Sequence, residues 1–218
     1  MIKELKSGSY EVNSQHKSWL EKAVSFKSQN KQNHKISKKL HSFEVIEKIY
    51  EYTKNMNPIV ATEVGQHQLW AAQNFKFAAP RKFLTSGGSG TMGFGLPAAI
   101  GAWFADKKSP IICISGDGSF QMNSQELAVC VEYGIPVKIF ILNNGYLGMV
   151  RQLQQKLCEG RFSETKMSNP DFVKLADAYG VLGLRVENVD EIPNALRDAF
   201  ASKEAVVVNF YVEPMEIV

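Results

Sequence analysis

The chain has 218 residues, of which 44% are hydrophobic and 22% charged. This is the composition of an ordinary globular domain and excludes a disordered chain. No apolar stretch is long enough to span a bilayer, and the N-terminus lacks the apolar segment of a secretory signal, so we expect no membrane partner. The three cysteines are an odd number, which argues against a disulfide framework and favours a reducing cytoplasm.

The net charge of +3 is unevenly distributed along the chain. Residues 1–42 hold nine lysines and three glutamates, so the remainder is net negative. A basic arm is one signature of nucleic-acid binding. This arm contains no arginine, however, and no recognition motif follows it. We therefore interpret it as a solvated linker and expect no nucleic-acid partner.

The N-terminal quarter predicts two helices separated by a linker. Residues 14–26 have the pattern of a short helix. Its apolar side consists of Trp19, Leu20, Ala23 and Val24. Residues 27–41 are polar and without periodicity, which indicates a linker. Ser42 is predicted to cap the second helix, and Asn57-Pro58 to end it. That helix carries Phe43, Ile46, Ile49 and Tyr50 at helical spacing.

From residue 59 onward, strand-like and helix-like segments alternate. The predicted strands are 59–64, 82–85, 110–115, 137–142, 184–187 and 205–212. The predicted helices are 66–73, 92–104, 121–133, 147–156, one starting at Pro170, and 191–202. Continuous apolar runs at 111–114 and 206–211 are typical of strands buried on both faces. The pattern predicts an α/β fold, a doubly wound, mostly parallel sheet with helices on both faces.

Two neighbouring predicted strands end in oxygen-bearing side chains. Gly116-Asp117-Gly118 follows one strand, and Asn143-Asn144 follows the next. Ligands of open parallel sheets lie outside the carboxyl ends of the strands. Carboxylate and amide oxygens suit Mg²⁺, which also recruits phosphate oxygens. The pair therefore predicts a site for a metal-bound diphosphate, although Asp-Gly and Asn-Gly are also ordinary turn signals.

A glycine-rich stretch, residues 87–95, follows a strand and precedes a helix. This context is similar to that of a dinucleotide-binding fingerprint. No acidic residue follows at the distance needed to hold a ribose, which disfavours a nicotinamide-dependent dehydrogenase. The glycines are about equally compatible with two explanations, close approach of the backbone to a ligand and close packing of the helix against the strand.

Three further side chains are candidates for contacts with a ligand or cofactor, although each also has a more common explanation. His67 follows Gln66 at a strand-to-helix junction, where free N–H groups attract phosphate, but an isolated histidine is more often a surface residue. Met92 and Met149 lie at predicted helix starts. Methionine more often fills gaps in a core than contacts a cofactor.

Taken together, these segments resemble the C-terminal domain of the thiamine diphosphate enzymes, in particular the large catalytic subunit of acetolactate synthase. The matching segments are 62–73, 85–99, 116–120, 143–144, 147–152 and 168–172. The resemblance covers about residues 42–218 and implies that this part is the thiamine diphosphate-binding domain. It also implies that residues 1–41 are the tail of a preceding domain plus a linker.

The resemblance implies roles for the residues around the strand ends. The implied Mg²⁺ ligands are Asp117, Asn144 and the backbone carbonyl of Tyr146. Gln66 and His67 would touch the diphosphate from the other side. Met92 would hold the cofactor bent, and Met149 would lie beside the reacting carbon. The full implied cofactor-binding set is Gln66, His67, Gly90, Thr91, Met92, Asp117, Gly118, Ser119, Asn144, Gly145, Tyr146, Leu147, Gly148 and Met149.

The implied activity is that of a transferase. It condenses pyruvate or another 2-ketoacid with a second ketoacid and releases CO₂, a step of branched-chain amino-acid biosynthesis. The implied cofactors are thiamine diphosphate and Mg²⁺, with FAD mostly outside this chain. An N-terminal pyrimidine-binding domain, in cis or in trans, would carry the catalytic glutamate, so we assign no catalytic residue here. We expect a homo-oligomer, and we expect the chain alone to be inactive.

One departure from the family bears on substrate choice. Leu153 stands where the family commonly has a tryptophan lining the substrate channel, so we assign Leu153 and Met149 to that channel. Two other functions remain open. One is a domain of another thiamine diphosphate-dependent 2-ketoacid decarboxylase or carboligase, and the other is a non-catalytic cofactor-binding module. The segment 147–152 favours the acetolactate synthase branch.

Overall fold

The computed structural model describes residues 14–29, 39–77 and 79–218. The chain divides into two compact units, Met1–Ser37 and Lys38–Val218. In the first unit, helix α1 (Ser14–Gln29) confirms the predicted helix and extends it by three residues. Its large apolar residues are exposed, Trp19 at 70%, so they do not form a core.

The second unit is built around one six-stranded parallel sheet, which confirms the predicted α/β class. The strands are β1 (Ile59–Thr62), β2 (Phe83–Leu84), β3 (Ile111–Gly116), β4 (Lys138–Asn143), β5 (Leu182–Val186) and β6 (Val206–Tyr211). Their order in the sheet is β2-β1-β3-β4-β6-β5, and every neighbouring pair is parallel. Each observed strand overlaps a predicted one.

Within the described residues of the second unit there are eight α-helices, of which the first precedes β1 and the others follow it. They are α2 (Ser42–Thr53), α3 (Gln66–Asn74), α4 (Gly95–Ala105), α5 (Asp117–Met122), α6 (Leu127–Glu132), α7 (Gly148–Leu157), α8 (Phe172–Ala178) and α9 (Ile192–Ala201). Two 3₁₀ turns, Ser124–Glu126 and Val189–Glu191, precede α6 and α9. Among the helices in the described ranges, none is both long enough and apolar enough to cross a bilayer.

The sheet separates two hydrophobic cores. In β3, Ile112 and Ile114 face one core while Ile111 and Cys113 face the other. Both faces of the strand are therefore removed from water, and its sequence is apolar without alternation. Cys113 and Cys130 are buried free thiols.

The order of the strands places a crevice at one edge of the sheet. From β1 the chain crosses to β2 on one side and then returns to β3 on the other. Ligands of doubly wound sheets bind at such a reversal, outside the carboxyl ends of the strands. β3 and β4 are neighbours, with Gly116 opposite Leu142, so Asp117 and Asn143-Asn144 leave the sheet at the same edge. The predicted adjacency of the two strand ends is confirmed.

Two predictions about the N-terminal side of this unit are wrong. Ser42 does not cap α2. The N-cap residue is His41, and the Ser42 hydroxyl donates instead to Glu216. The predicted linker also does not extend through residue 41, because Leu40 is fully buried and bridges to Val212 beside the sheet. Residues 30–38 of that linker lie outside the described residues.

Three helix boundaries also differ from prediction. The helix expected from Met92 begins at Gly95, after the glycine-rich turn. The helix expected over 121–133 is divided into α5, a 3₁₀ turn and α6. The helix expected from Pro170 begins at Phe172, because the Asp171 carboxylate accepts from the backbone N–H groups of Val173 and Lys174 and thereby caps it.

Candidate functional site

A cavity of about 160 Å³ lies at the carboxyl edge of the sheet, where β1, β3 and β4 end. Its lining combines polar and apolar residues from the segments that follow those strands. The lining residues are Ser42, Val64, Gly65, Gln66, His67, Met92, Gly116, Asp117, Gly118, Ser119, Leu142, Asn144, Tyr146, Leu147, Gly148, Met149 and Val150. Eleven of the fourteen cofactor-binding residues predicted from the sequence are in this set.

Asp117 is the buried carboxylate of the site. It is 2% exposed. Its Oδ1 accepts from the Gly118 N–H at 3.0 Å, and its Oδ2 accepts from the Gly145 N–H at 2.8 Å. Burial raises the pKa of this carboxyl, although its hydrogen bonds act in the opposite direction. Among the described residues, the Asp117 carboxylate accepts hydrogen bonds from neutral donors alone. A bound cation would therefore stabilise its negative charge.

Asn169 positions this carboxylate and was not assigned a role from the sequence. Its amide nitrogen donates to Asp117 Oδ2 at 2.6 Å and to Asn143 Oδ1 at 2.9 Å. Its amide oxygen accepts from Gln121 at 2.8 Å. Asn169 therefore ties the ends of β3 and β4 together. The only sequence signal was its place in the Ser-Asn-Pro-Asp segment of the resemblance.

The loop after β4 folds back on itself beside Asp117. The Asn144 Oδ1 accepts from the Tyr146 N–H at 2.9 Å, and the Leu147 N–H donates to the Thr165 carbonyl at 2.7 Å. Gly145 has a positive φ of 71°, which favours glycine at that position. Gly145 does not line the cavity; its N–H holds Asp117 instead.

Gln66 connects the loop after β1 to the other elements of the site. Its Oε1 accepts from Asn144 at 3.3 Å, and its Nε2 donates to Gln152 Oε1 at 2.9 Å. The same Nε2 donates to the Glu216 carbonyl at 2.8 Å. α7 begins at Gly148, close enough that a Cβ there would overlap the Gln66 amide.

His67 is buried, which contradicts the ordinary expectation of a surface histidine. Its imidazole lies against Gly116, where an added Cβ would be 2.9 Å from Nδ1. Its Nε2 has no hydrogen-bond partner among the described residues. Burial lowers the pKa of His67 to about 3, so the ring is neutral at pH 7. A neutral ring with an unpartnered nitrogen in a cavity wall is suited to hydrogen-bonding a ligand.

The glycine-rich turn contributes one predicted residue to the cavity. Met92 lines it, whereas Gly90 and Thr91 are exposed and do not. Gly93, buried after Met92, has a φ of 83°. Glu63, at the end of β1, is a buried carboxyl next to this turn, and we assigned it no role from the sequence.

The apolar wall of the cavity comes largely from α7 and the loop before it. Leu147, Met149 and Val150 line it, together with Val64 and Leu142. Leu153 follows one turn after Met149 but is 47% exposed and outside the lining. Of the two predicted channel residues, Met149 is therefore in the cavity wall and Leu153 is on the surface beyond it.

The donor set fits a hard cation that carries phosphate oxygens. Within the described residues, no three His, Cys, Asp or Glu side chains cluster as a metal site. The cavity instead offers one carboxylate together with amide and carbonyl oxygens, the oxygen ligands that Mg²⁺ prefers. Mg²⁺ keeps few protein ligands and completes its shell with water and substrate phosphates. His67 lines the same cavity, and its Nε2 has no hydrogen-bond partner among the described residues.

Comparison with known proteins agrees with this chemistry. Residues 63–210 match the family model "Thiamine pyrophosphate enzyme, C-terminal TPP binding domain". The acetolactate synthase large subunit of Haemophilus influenzae is 47% identical over 165 residues, covering 75% of this chain and 29% of that protein. The acetolactate synthase isozyme 3 large subunit of Escherichia coli is 45% identical over 164 residues, 75% of this chain and 28% of the relative.

A eukaryotic relative has a similar level of sequence identity. The mitochondrial acetolactate synthase catalytic subunit of Saccharomyces cerevisiae is 50% identical over 155 residues, which are 71% of this chain and 23% of the yeast protein. The chain thus spans less than a third of the length of the relatives it matches. Because the family model covers most of its length, the chain belongs to the thiamine pyrophosphate (thiamine diphosphate) enzyme family, as its C-terminal cofactor-binding domain.

Proposed function

We propose that this member of the thiamine diphosphate enzyme family is the diphosphate-binding domain of an acetolactate synthase. The proposed reaction condenses pyruvate or another 2-ketoacid with a second ketoacid and releases CO₂, in branched-chain amino-acid biosynthesis. One observation carries the proposal. One cavity at the sheet reversal is lined by the buried Asp117, by Gln66 and Asn144, and by His67, whose Nε2 has no hydrogen-bond partner among the described residues. The identities of 45–50% to acetolactate synthase subunits support it.

Mg²⁺ would be held by Asp117, Asn144 and the backbone carbonyl of Tyr146. All three residues line the cavity, and the Gly145 N–H holds the loop against Asp117. Gln66 and His67 would face the diphosphate from the β1 side, and Gly118 and Ser119 from the start of α5. A cation here would also offset the cost of burying the Asp117 charge.

The bound cofactor supplies an electron sink that stabilises a carbanion during decarboxylation. The chain's own residues bind and orient it. Met92, Leu147 and Met149 would exclude water from one side of the cavity, and low local polarity strengthens the electrostatic interactions that remain. We assign no proton-transfer residue to this chain, since the buried carboxylate of the cavity is committed to the metal.

We further propose that the cofactor site is shared with another domain. The cavity of about 160 Å³ is smaller than the roughly 300–1,000 Å³ of pockets that enclose a ligand of this size. A pyrimidine-binding domain, in cis or in trans, would supply the remainder, including the catalytic glutamate. FAD would bind mostly outside this chain, and the assembly would be a homo-oligomer. In this proposal, residues 42–218 form the cofactor domain, Leu40 and His41 pack with it, and the residues before them are a tail and linker.

The proposed compartment is a reducing one such as the cytoplasm. Cys113, Cys130 and Cys158 are all free, and the first two are buried. Free buried thiols are compatible with a compartment in which disulfides do not form. Localising a tagged full-length protein by microscopy tests this point.

Mg²⁺-dependent binding of thiamine diphosphate tests the proposed site. A ligand at about a hundred times its dissociation constant stabilises the fold by about 2.7 kcal/mol, so the wild-type melting temperature should rise when both ligands are added. Asp117→Ala should abolish that rise, because it removes the charged oxygen at the metal position. Asp190→Ala, on an exposed aspartate, is the matched control and should retain it. Equal shifts for wild type and Asp117→Ala would exclude Asp117 as the metal ligand.

A further inference from the structure

Glu63 is a buried acid that the proposed metal and diphosphate sites do not use. It follows β1 directly and is 1% exposed. It does not line the cavity. A carboxyl removed from water to this extent is costly unless its oxygens are hydrogen-bonded. The hydrogen bonds of the Glu63 carboxyl therefore indicate which part of the structure it stabilises.

The contacts of Glu63 converge on the backbone of the glycine-rich turn. Its Oε2 accepts from the Gly93 N–H, and the Gly95 N–H also bonds to the carboxyl. Its Oε1 meets the Ser115 hydroxyl on β3. Glu63 thereby joins the ends of two central strands to the two glycines that precede and begin α4.

A second side chain holds the same turn from the opposite side. Asn123, at the end of α5, donates from Nδ2 to the Gly93 carbonyl at 2.8 Å. Thr91 is held separately, since its N–H donates to the Ser86 hydroxyl at 2.9 Å. The residue between Thr91 and Gly93 is Met92, whose side chain lines the cavity. The peptide group between Met92 and Gly93 is therefore anchored by Glu63, and the backbone is also held at Thr91 and at the Gly93 carbonyl.

The geometry points to Glu63 as the positioning residue of the Met92 turn. We infer that its carboxyl, with Asn123, fixes the backbone at Gly93, so that Met92 is presented to the pyrimidine end of the bound cofactor. This inference rests on the proposed function for the identity of the ligand. It goes beyond that proposal by separating the residues that hold the diphosphate from a residue that shapes the other end of the site.

The two ends of the ligand give a test that a general loss of stability would not reproduce. Inorganic pyrophosphate with Mg²⁺ probes the diphosphate end alone, and thiamine diphosphate with Mg²⁺ probes both ends. Glu63→Ala should weaken thiamine diphosphate about tenfold in calorimetry, equivalent to ~1.4 kcal/mol, and leave pyrophosphate affinity unchanged. Asn123→Ala should act in the same direction, because it releases the carbonyl side of Gly93.

Two further variants control for shape and for stability. Glu63→Gln keeps an oxygen that can accept from Gly93 and should rescue most of the lost affinity. Glu191→Ala removes another carboxylate that accepts backbone N–H groups, at the start of α9, and should change neither affinity. Equal losses for pyrophosphate and thiamine diphosphate in Glu63→Ala would overturn the inference, since the carboxyl would then support only the fold.

Amide hydrogen exchange tests the positioning without any ligand. In Glu63→Ala, exchange at the Gly93 and Gly95 amides should accelerate while the amides of β4 remain protected. Unchanged exchange at Gly93 in both Glu63→Ala and Asn123→Ala would overturn the inference. If the wild type binds neither pyrophosphate nor thiamine diphosphate, the proposed function fails, and the exchange experiment still decides the role of Glu63.

Discussion

Gly148 begins α7 where the backbone passes directly beside Gln66. A Cβ at this position would overlap the Gln66 amide oxygen and lie 2.7 Å from Asn144 Nδ2. Both neighbours are in the cavity wall. We expect Gly148→Ala to lower the free energy of unfolding by about 1–3 kcal/mol, as overpacking does, and to weaken Mg²⁺-dependent thiamine diphosphate binding. Urea unfolding and calorimetry measure the two effects.

Gly101 provides the matched control for that substitution. It lies within α4, and a Cβ there would meet nothing within 4 Å. Gly101→Ala should therefore stabilise the protein by about 0.5–1 kcal/mol, because alanine loses less backbone freedom in a helix than glycine does. If both alanine variants behaved alike, close packing at Gly148 would not be the reason for its glycine.

Glu63 should make stability depend on pH in a direction opposite to that of most acids. Burial raises its pKa from 4.5 to about 7. Between these values the folded protein binds more protons than the unfolded chain, so the free energy of unfolding falls as pH rises. The shift corresponds to ~3 kcal/mol. The Glu63→Gln side chain does not titrate, so the variant does not lose stability in this way. The difference in free energy of unfolding between Glu63→Gln and wild type should therefore increase by ~3 kcal/mol from pH 4.5 to 7.

His67 contributes the opposite slope over an overlapping range. Its pKa is lowered from 6.5 to about 3, so the folded protein binds fewer protons than the unfolded chain between these values. Stability from His67 therefore increases as pH rises through this window. Chemical unfolding of wild type and Glu63→Gln at closely spaced pH values from 4 to 8 measures the difference. Parallel profiles for the two proteins would contradict the assignment of the buried proton to Glu63.

The elements that form the site were largely predictable, for a physical reason. β3 and β4 are buried on both faces, so each contains a continuous apolar run, 111–114 and 139–142, that ends near the sheet edge. Parallel strands end at one common edge, so Asp117 and Asn144 could be placed near each other from spacing alone. The resemblance supplied the remaining cofactor-binding residues of the cavity wall.

The elements that were predicted wrongly depend on contacts between distant residues. Leu127 and Cys130 continue the helical pattern of 121–133, yet the helix is interrupted at Asn123. Asn123 bonds the carbonyl of Gly93, thirty residues earlier, and no local pattern contains that partner. Ser42 likewise follows the local rule for a cap, but its hydroxyl bonds Glu216. Long-range hydrogen bonds thus override local capping preferences.

Glu216 shows how a short C-terminal segment holds several elements of the site. Its carboxylate accepts from the Ser42 N–H and hydroxyl and contacts His41 Nδ1 at 2.9 Å. Its backbone carbonyl accepts from Gln66 and from Arg151 at 2.6 Å. The segment thereby links the start of α2, the start of α3 and α7.

We expect Glu216→Ala to cost about 1.5–3 kcal/mol of stability, the range for charge-assisted hydrogen bonds. It should also loosen Gln66 and raise the dissociation constant for thiamine diphosphate. Glu213→Ala is the control, because Glu213 pairs at 3.1 Å with Lys39, whose side chain is 70% exposed. Such a surface pair contributes at most about 1 kcal/mol. Equal costs for the two variants, by urea unfolding, would argue against a role for Glu216 in holding the site.

At the scale of the molecule, the second unit has its own hydrophobic interior, whereas we propose that its cofactor site is shared with another domain. Two cores cover both faces of the sheet, and the second unit therefore has the interior of an independent domain. The cavity of about 160 Å³, in contrast, is small for the proposed cofactor. Folding and cofactor enclosure are thus expected to be separable properties of this chain.

This separation leads to a prediction for activity. The purified chain should fold cooperatively and bind Mg²⁺ and thiamine diphosphate, yet fail to convert pyruvate to acetolactate. Loss of a positioned carboxylate alone costs typically ~10²–10⁴ in rate, and water would enter the half-enclosed cavity in addition. Adding the separately expressed N-terminal portion of an acetolactate synthase large subunit should restore product formation, measured colorimetrically as acetoin. The Asp117→Ala chain is the control and should restore none. Product formation by the wild-type chain alone, above that of free thiamine diphosphate with Mg²⁺, would contradict a site shared between domains.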